Sequence, residues 1–307
     1  MEFRQRYVRL CVVTFIAVLA PSRDVYSATG QLATLIPVRA RCHAPCARPA
    51  LLFVHGVLGS STTWLGSAGK SWPVLITMDK PFDDFDVYEL DYLTHTETAP
   101  IRPTADAITT SAKEVIKPVM SRYRDVYVIC HSLGGNVIRD YLTRIDAESP
   151  TELGRYRGLF LLGTPVEGSS LSRFLDLFGL LTAGGRADVK GALAEISGNP
   201  YLQSVNKKWL LLEEKLGRRD RPLTVWEAFE RRSVVGVLGR TAIVVDKKSA
   251  IAAIPLALQM KAESEGYICG FKDKDHLSLP KPKDANDPVY KWVKSGITDG
   301  HGDCRVE

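Results

Sequence analysis

Short unbroken apolar runs recur along this chain, separated by longer stretches whose apolar residues return every three or four positions. "ALLFVHG" (50–56), "FDVYELDY" (85–92), "RDVYVICHS" (124–132), "RGLFLLGTP" (157–165) and "RTAIVVD" (240–246) each read as a buried strand, with "GYICGF" (266–271) a weaker sixth. Runs that are apolar at successive positions suit parallel strands covered on both faces. Helical spacing fills 104–123, 134–146 and the closing stretch 287–297. Strand alternating with helix predicts an α/β architecture built on a mostly parallel, doubly wound sheet.

One interval breaks the rhythm. From Val166 to Gly239 no strand pattern intervenes, and "LSRFLDLFGLL" and "YLQSVNKKWLLLEEKLG" are leucine-rich and helical. An insertion of this length at the carboxyl end of a strand is where a cap over a binding site forms, so 166–239 is read as a helical cap; the plainer alternative is extra helices packed on the core.

The first residues change the picture of the compartment. Arginines, an apolar run from Leu10 to Ala20 and the small pair Ser27–Ala28 follow the order of a secretory signal peptide, giving a leader over 1–28 and a folded domain over 29–307. The run is shorter than the roughly 20 residues that span a bilayer, although an uncleaved anchor is an alternative. An exported chain, secreted or periplasmic, keeps disulfides. Five cysteines remain after the leader: Cys42 and Cys46 could close a small loop and Cys269 with Cys304 could tie down the tail, but four cysteines allow three pairings. Cys130 reads as a buried free thiol, and a zinc site using His43 would need ligands from far away. Apolar residues make up 45% and charged residues 24%, ordinary for a folded enzyme. The net charge of +5 drops to about +3 without the leader, and scattered basic clusters such as "RRDR" carry no nucleic-acid motif.

Candidate chemistry centres on "VICHSLGGN" (128–136). A strand, then a serine followed by small residues, then a helix describes a sharp turn that presents Ser132 at its tip; the helix N-terminus beside it favours negative charge. Cys130 stands where the general G-x-S-x-G pattern has glycine. The earlier strand ends in His55-Gly56, and the amides of Val57 and Leu133 are the natural pair of oxyanion donors. Of six histidines, His131 adjoins the serine, His43 precedes the core, His55 orients its own loop, His95 comes before the nucleophile and His301 lies in a glycine-rich tail. His276 in "KDKDHLSLPKP" is left as the base. For the acid, Asp246 closes an apolar run at the sheet's carboxyl edge and is preferred over Asp140, Asp273 and Asp275.

Six motifs fall in one order between Leu51 and Pro282: "FVHGVLGSSTTW", "YELDYL", "CHSLGGNVIRDYL", "LLGTPVEGSS", "IVVDKKSA" and "DHLSLPKP". Together they resemble the α/β-hydrolase superfamily, in the lipase-like branch around the serine-active-site-containing proteins and the GPI inositol deacylases. Val166 departs from the histidine that many relatives carry after Gly-Thr-Pro. The resemblance implies an α/β-hydrolase fold and hydrolysis of carboxylic esters, often of acylated lipids, through Ser132, Asp246 and His276. It calls for no metal or cofactor. The expected partner is an ester or lipid substrate, with peripheral contact to a lipid interface and no nucleic acid. Two other functions fit the same residues: an acyltransferase using this triad, or a lipid-binding protein without catalysis.

Overall fold

The computed structural model describes residues 32–42, 45–56, 59–92, 105–165, 200–216, 221–235, 241–243, 245–247, 250, 261–302 and 304. The strands are β1 (Ala33–Arg39), β2 (Ala50–Val54), β3 (Asp86–Tyr92), β4 (Val126–His131), β5 (Tyr156–Leu162), β6 (Thr224–Glu230), β7 (Val234–Val235), β8 (Thr241–Ala242) and β9 (Ile268–Phe271). The principal helices are α1 (Trp72–Thr77), α2 (Ala105–Met120), α3 (Gly134–Glu148), α4 (Pro200–Leu216) and α5 (Pro288–Thr298). Seven strands form one sheet in the order β1-β3-β2-β4-β5-β6-β9. Every neighbouring pair is parallel except β1 with β3, so an antiparallel edge strand completes the parallel body.

Side-chain alternation explains why the strands read as continuous apolar runs. In β2, Leu52 and Val54 enter one core while Leu51 and Phe53 enter the other; in β5, Leu159 and Leu161 part from Phe160 and Leu162 in the same way. Both faces are therefore dry, as parallel strands require. Ile116, Ile138 and Trp209 cover the first face from α2, α3 and α4. Trp72, Trp292 and Val293 cover the second from α1 and α5. Phe160 stacks on Trp226 at 4.4 Å and meets Trp292 edge-on at 5.7 Å, tying β5, β6 and α5 together. At the start of α5 the Asp287 side chain accepts from the Val289 amide and Pro288 opens the helix, the usual N-terminal signals.

Two expectations are corrected between β5 and β9. The sheet strand that follows β5 is β6, inside the interval expected to be a cap, and Gly158–Leu162 pair in register with Thr224–Ala228. The run 240–246 is not a strand of this sheet: Thr241–Ala242 pair with Val234–Val235 in a separate two-stranded ribbon. The physical reason lies in Glu227, a carboxyl group inside β6 that interrupts its apolar run, yet is buried on the sheet. Helix α4, expected as part of a cap, buries Trp209, Leu212 and Leu216 in the same core as α2 and α3, so it packs on the sheet body. The expected leader (1–28) and the first leucine-rich cap segment lie outside the described residues.

Sulfur bonds join Cys42 to Cys46 and Cys269 to Cys304, and Cys130 is a buried thiol. The Cys42 and Cys46 sulfurs lie near Asp86, but sulfurs bonded to each other are not thiolate ligands. That carboxylate instead accepts from the amides of Arg41 and Cys42 and from the Tyr123 hydroxyl. His43 falls outside the described residues.

Candidate active site

The turn after β4 places Ser132 with φ at +53°, the single non-glycine residue with positive φ among those described. Such a conformation is costly for a residue with a Cβ and persists only where the surroundings impose it. They do so here: the Ser132 amide donates to the Leu162 carbonyl at 2.9 Å, and the Ser132 carbonyl accepts from the Gly135 amide at 3.0 Å. Two residues on, a Cβ at Gly134 would stand 2.2 Å from the His55 carbonyl oxygen, so only glycine lets α3 approach β2 this closely. Leu133, the residue that opens α3, is buried beside the serine, and the positive end of the helix dipole faces the turn.

His276 meets this serine from a loop 144 residues downstream, its Nε2 3.1 Å from Ser132 Oγ. On the far side of the ring, Nδ1 lies 3.4 Å from Glu230 Oε1, an ion-pair distance between two buried groups. Apo structures commonly hold such contacts long, and they tighten when substrate binds. Glu230 is the last residue of β6, and the Val245 amide donates to its Oε1, fixing the carboxylate from a second strand of chain. Gly163, with φ at +57°, leaves the space beside them: a Cβ there would lie 3.1 Å from His276 Nδ1 and 3.2 Å from Glu230 Oε2.

The carboxylate opposite the imidazole is therefore that of Glu230, where the sequence pointed to Asp246. The correction follows directly from the sheet. The expected acid was assigned to the end of the next sheet strand, and that strand is β6, ending at Glu230. Asp246 is half-buried and follows Val245, the residue whose amide holds Glu230. The signal that could have found Glu230 is "LTVWEAFE" (223–230), where Val225, Trp226, Ala228 and Phe229 carry strand-forming character around Glu227.

Two more histidines shape the site. His131 donates from Nε2 to the His276 carbonyl at 2.9 Å, with the two rings 4.8 Å apart. Burial, then the neighbouring His276, push the His131 ring well below the ordinary imidazole range, so it stays neutral. His55 orients its loop as expected: its Nδ1 donates to the Gly56 carbonyl at 2.8 Å, Nε2 sits 3.1 Å from Asp91, and its ring stacks on Tyr92 at 4.3 Å. His301 is exposed, bonded to the Asp299 carbonyl. Asp140 accepts from Arg144 at 2.7 Å, and Asp275 accepts from the Leu277 and Ser278 amides within its own turn. Val57, the expected second oxyanion donor, His95 and Val166 lie outside the described residues.

No curated protein sequence matches the chain significantly. Among solved structures, it is similar to a lipase-esterase related protein from Clostridium acetobutylicum, at 13% identity over 87% of this chain and 99% of that one, TM-score 0.45. It is similar to carboxylesterase CesB from Bacillus subtilis, at 14% identity over 90% and 95% of the two chains, TM-score 0.43. A third similar structure is a variant of AqdC, described for recognition and ring cleavage of the Pseudomonas quinolone signal, at 10% identity over 88% and 95%, TM-score 0.49. The sequence model of the alpha/beta hydrolase family matches residues 51–286, most of the chain. On that match, with a seven-stranded sheet presenting a serine and a histidine at its carboxyl edge, the chain belongs to the alpha/beta hydrolase family.

Proposed function

We propose that this hydrolase cleaves carboxylic esters through an acyl-enzyme on Ser132. The observation that carries the reading is the line from Ser132 Oγ to His276 Nε2 at 3.1 Å and from His276 Nδ1 to Glu230 at 3.4 Å, set on a strained turn. In this reading His276 takes the hydroxyl proton as the serine oxygen attacks the ester carbonyl, and Glu230 orients and stabilises the imidazolium. The Leu133 amide, with that of Val57, receives the developing oxyanion. His276 then returns the proton to the leaving alcohol, and water, activated by the same imidazole, releases the acid.

Export belongs to the same proposal. The arginine-led apolar opening and the two sulfur bonds support a leader over 1–28 and a secreted or periplasmic enzyme. A fluorophosphonate probe that reacts with activated serine tests the chemistry. The wild-type protein is expected to be labelled and to hydrolyse p-nitrophenyl butyrate, and Ser132→Ala to do neither. Equal labelling of the two proteins removes Ser132 as the nucleophile.

A further inference from the structure

The loop that carries His276 borders a cleft of about 730 Å³ that the chemistry above does not use. Ser67, from the segment after β2, lines it together with Arg232, Lys272, Lys281 and Lys283. Four carboxylates also line it, those of Asp273, Asp275, Asp284 and Asp287, against five cations. Asp287 takes the buried Lys274 ammonium at 2.6 Å, Asp275 holds the amides of its own turn, and Asp284 accepts from the Asn286 amide at 2.7 Å. Asp275 and Asp284 keep their charge while accepting these amides, so the cations exceed the carboxylates by one, and three of the lysines make no ion pair with a described residue. Among the described residues, no carboxylate comes within 4.0 Å of the ammonium groups of Lys272, Lys281 or Lys283, and Arg232 reaches Asp275 only at 3.9 Å. Lys281 is half-buried in this state. A partly desolvated ammonium with no counter-charge favours an anionic ligand.

From this arrangement we propose that the cleft binds the phosphate group of an anionic ester substrate, placing its acyl ester at Ser132. The inference rests on the ester-hydrolase reading and names the substrate class for it. Phosphate suits the site because several oxygens can be shared among separate lysine ammonium groups and the Ser67 hydroxyl. Asp275, on the wall of the cleft, immediately precedes His276 in sequence. The charge of Lys281 is also among those felt by the His131 ring, which itself contacts His276.

Binding is measured on full-length Ser132→Ala protein, which cannot turn over its ligand, with dihexanoyl phosphatidylglycerol below its micelle concentration and with phosphate-free dihexanoylglycerol. The phospholipid is expected to bind about tenfold or more tightly than the neutral lipid, and Lys281→Gln with Lys283→Gln to abolish that preference. Lys272→Gln, a fully surface change, is expected to reduce it in part. Displacement by inorganic phosphate assigns the site to the phosphate alone, whereas resistance with a lysine-dependent preference assigns it to the lipid headgroup. Equal binding of the two lipids, or a preference that survives the lysine substitutions, overturns the proposal. A lysine-dependent preference without ester turnover by the wild type would remove the hydrolase reading and leave the anion site standing.

Discussion

At the residue scale, the site assigns different work to two acids separated by a short stretch of chain. Glu230 faces the imidazole at 3.4 Å, and Asp246 follows the residue that anchors it. Losing the orienting carboxylate of a serine–histidine pair costs about 10⁴ in turnover in comparable constellations. Glu230→Gln is therefore expected to lower kcat by roughly 10³–10⁴ with little change in KM, and Asp246→Asn by less than about tenfold. Steady-state kinetics on a short p-nitrophenyl ester checks both, and the reverse ranking would return the role to Asp246. The meeting of Ser132 with His276 was legible because both signals are local: a strand–serine–helix turn, and a histidine beyond the last strand. The place of Glu230 beside His276 was not, because it depends on which strand lies beside β5, a long-range fact that no short motif encodes.

The element that decided this is β6. Its Glu227 is buried, and burial, followed by the nearby Glu213, pushes its carboxyl up to about 8; Arg139 opposes the shift. A group protonated in the fold but ionised in the unfolded chain contributes stability that is fully present below the unfolded pKa of about 4.5 and is lost as pH rises through 8. Glu89 in β3, pushed up to about 7 by burial and then Asp91, acts in the same direction. His131 works the opposite way: depressed in the fold, it lowers stability as pH falls below the unfolded imidazole range. Thermal melts of Glu227→Gln are expected to lose less stability than the wild type between pH 5 and 8, a difference of at most about 1.4 kcal/mol per pH unit. Parallel curves would mean that Glu227 is ionised throughout. The neighbouring helix α4 was visible as a helix but misread as a cap. Leucine content marks an apolar helix without saying what it covers, and here Trp209 stacks against Arg139 at 5.2 Å, over the body of the fold.

For the whole molecule, two apolar cores on either side of one sheet supply most of the stability, and the unbroken apolar runs announced them in the sequence. The antiparallel edge strand β1 was missed, since half-buried "ATLIPVR" has neither a clean alternation nor an unbroken run. The Cys269–Cys304 bond adds a constraint at the opposite edge, closing a loop of 35 residues that contains His276 and α5. By chain entropy alone a loop of that length is worth about 3–4 kcal/mol. Denaturant melts of the paired Cys269→Ser and Cys304→Ser protein should show a loss of that order, with ester turnover retained at low temperature. An unchanged midpoint would mean that the tail is held by packing alone.

The hydrogen bond from His131 to the His276 carbonyl joins segments 145 residues apart. These two histidines form an inherited pair in the practical sense: a crossover anywhere between them, in a chimera with a related enzyme, brings in a foreign donor or a foreign acceptor. Segment exchange in this scaffold should therefore move the serine turn and the histidine loop as one unit, leaving the intervening helices as the interchangeable part.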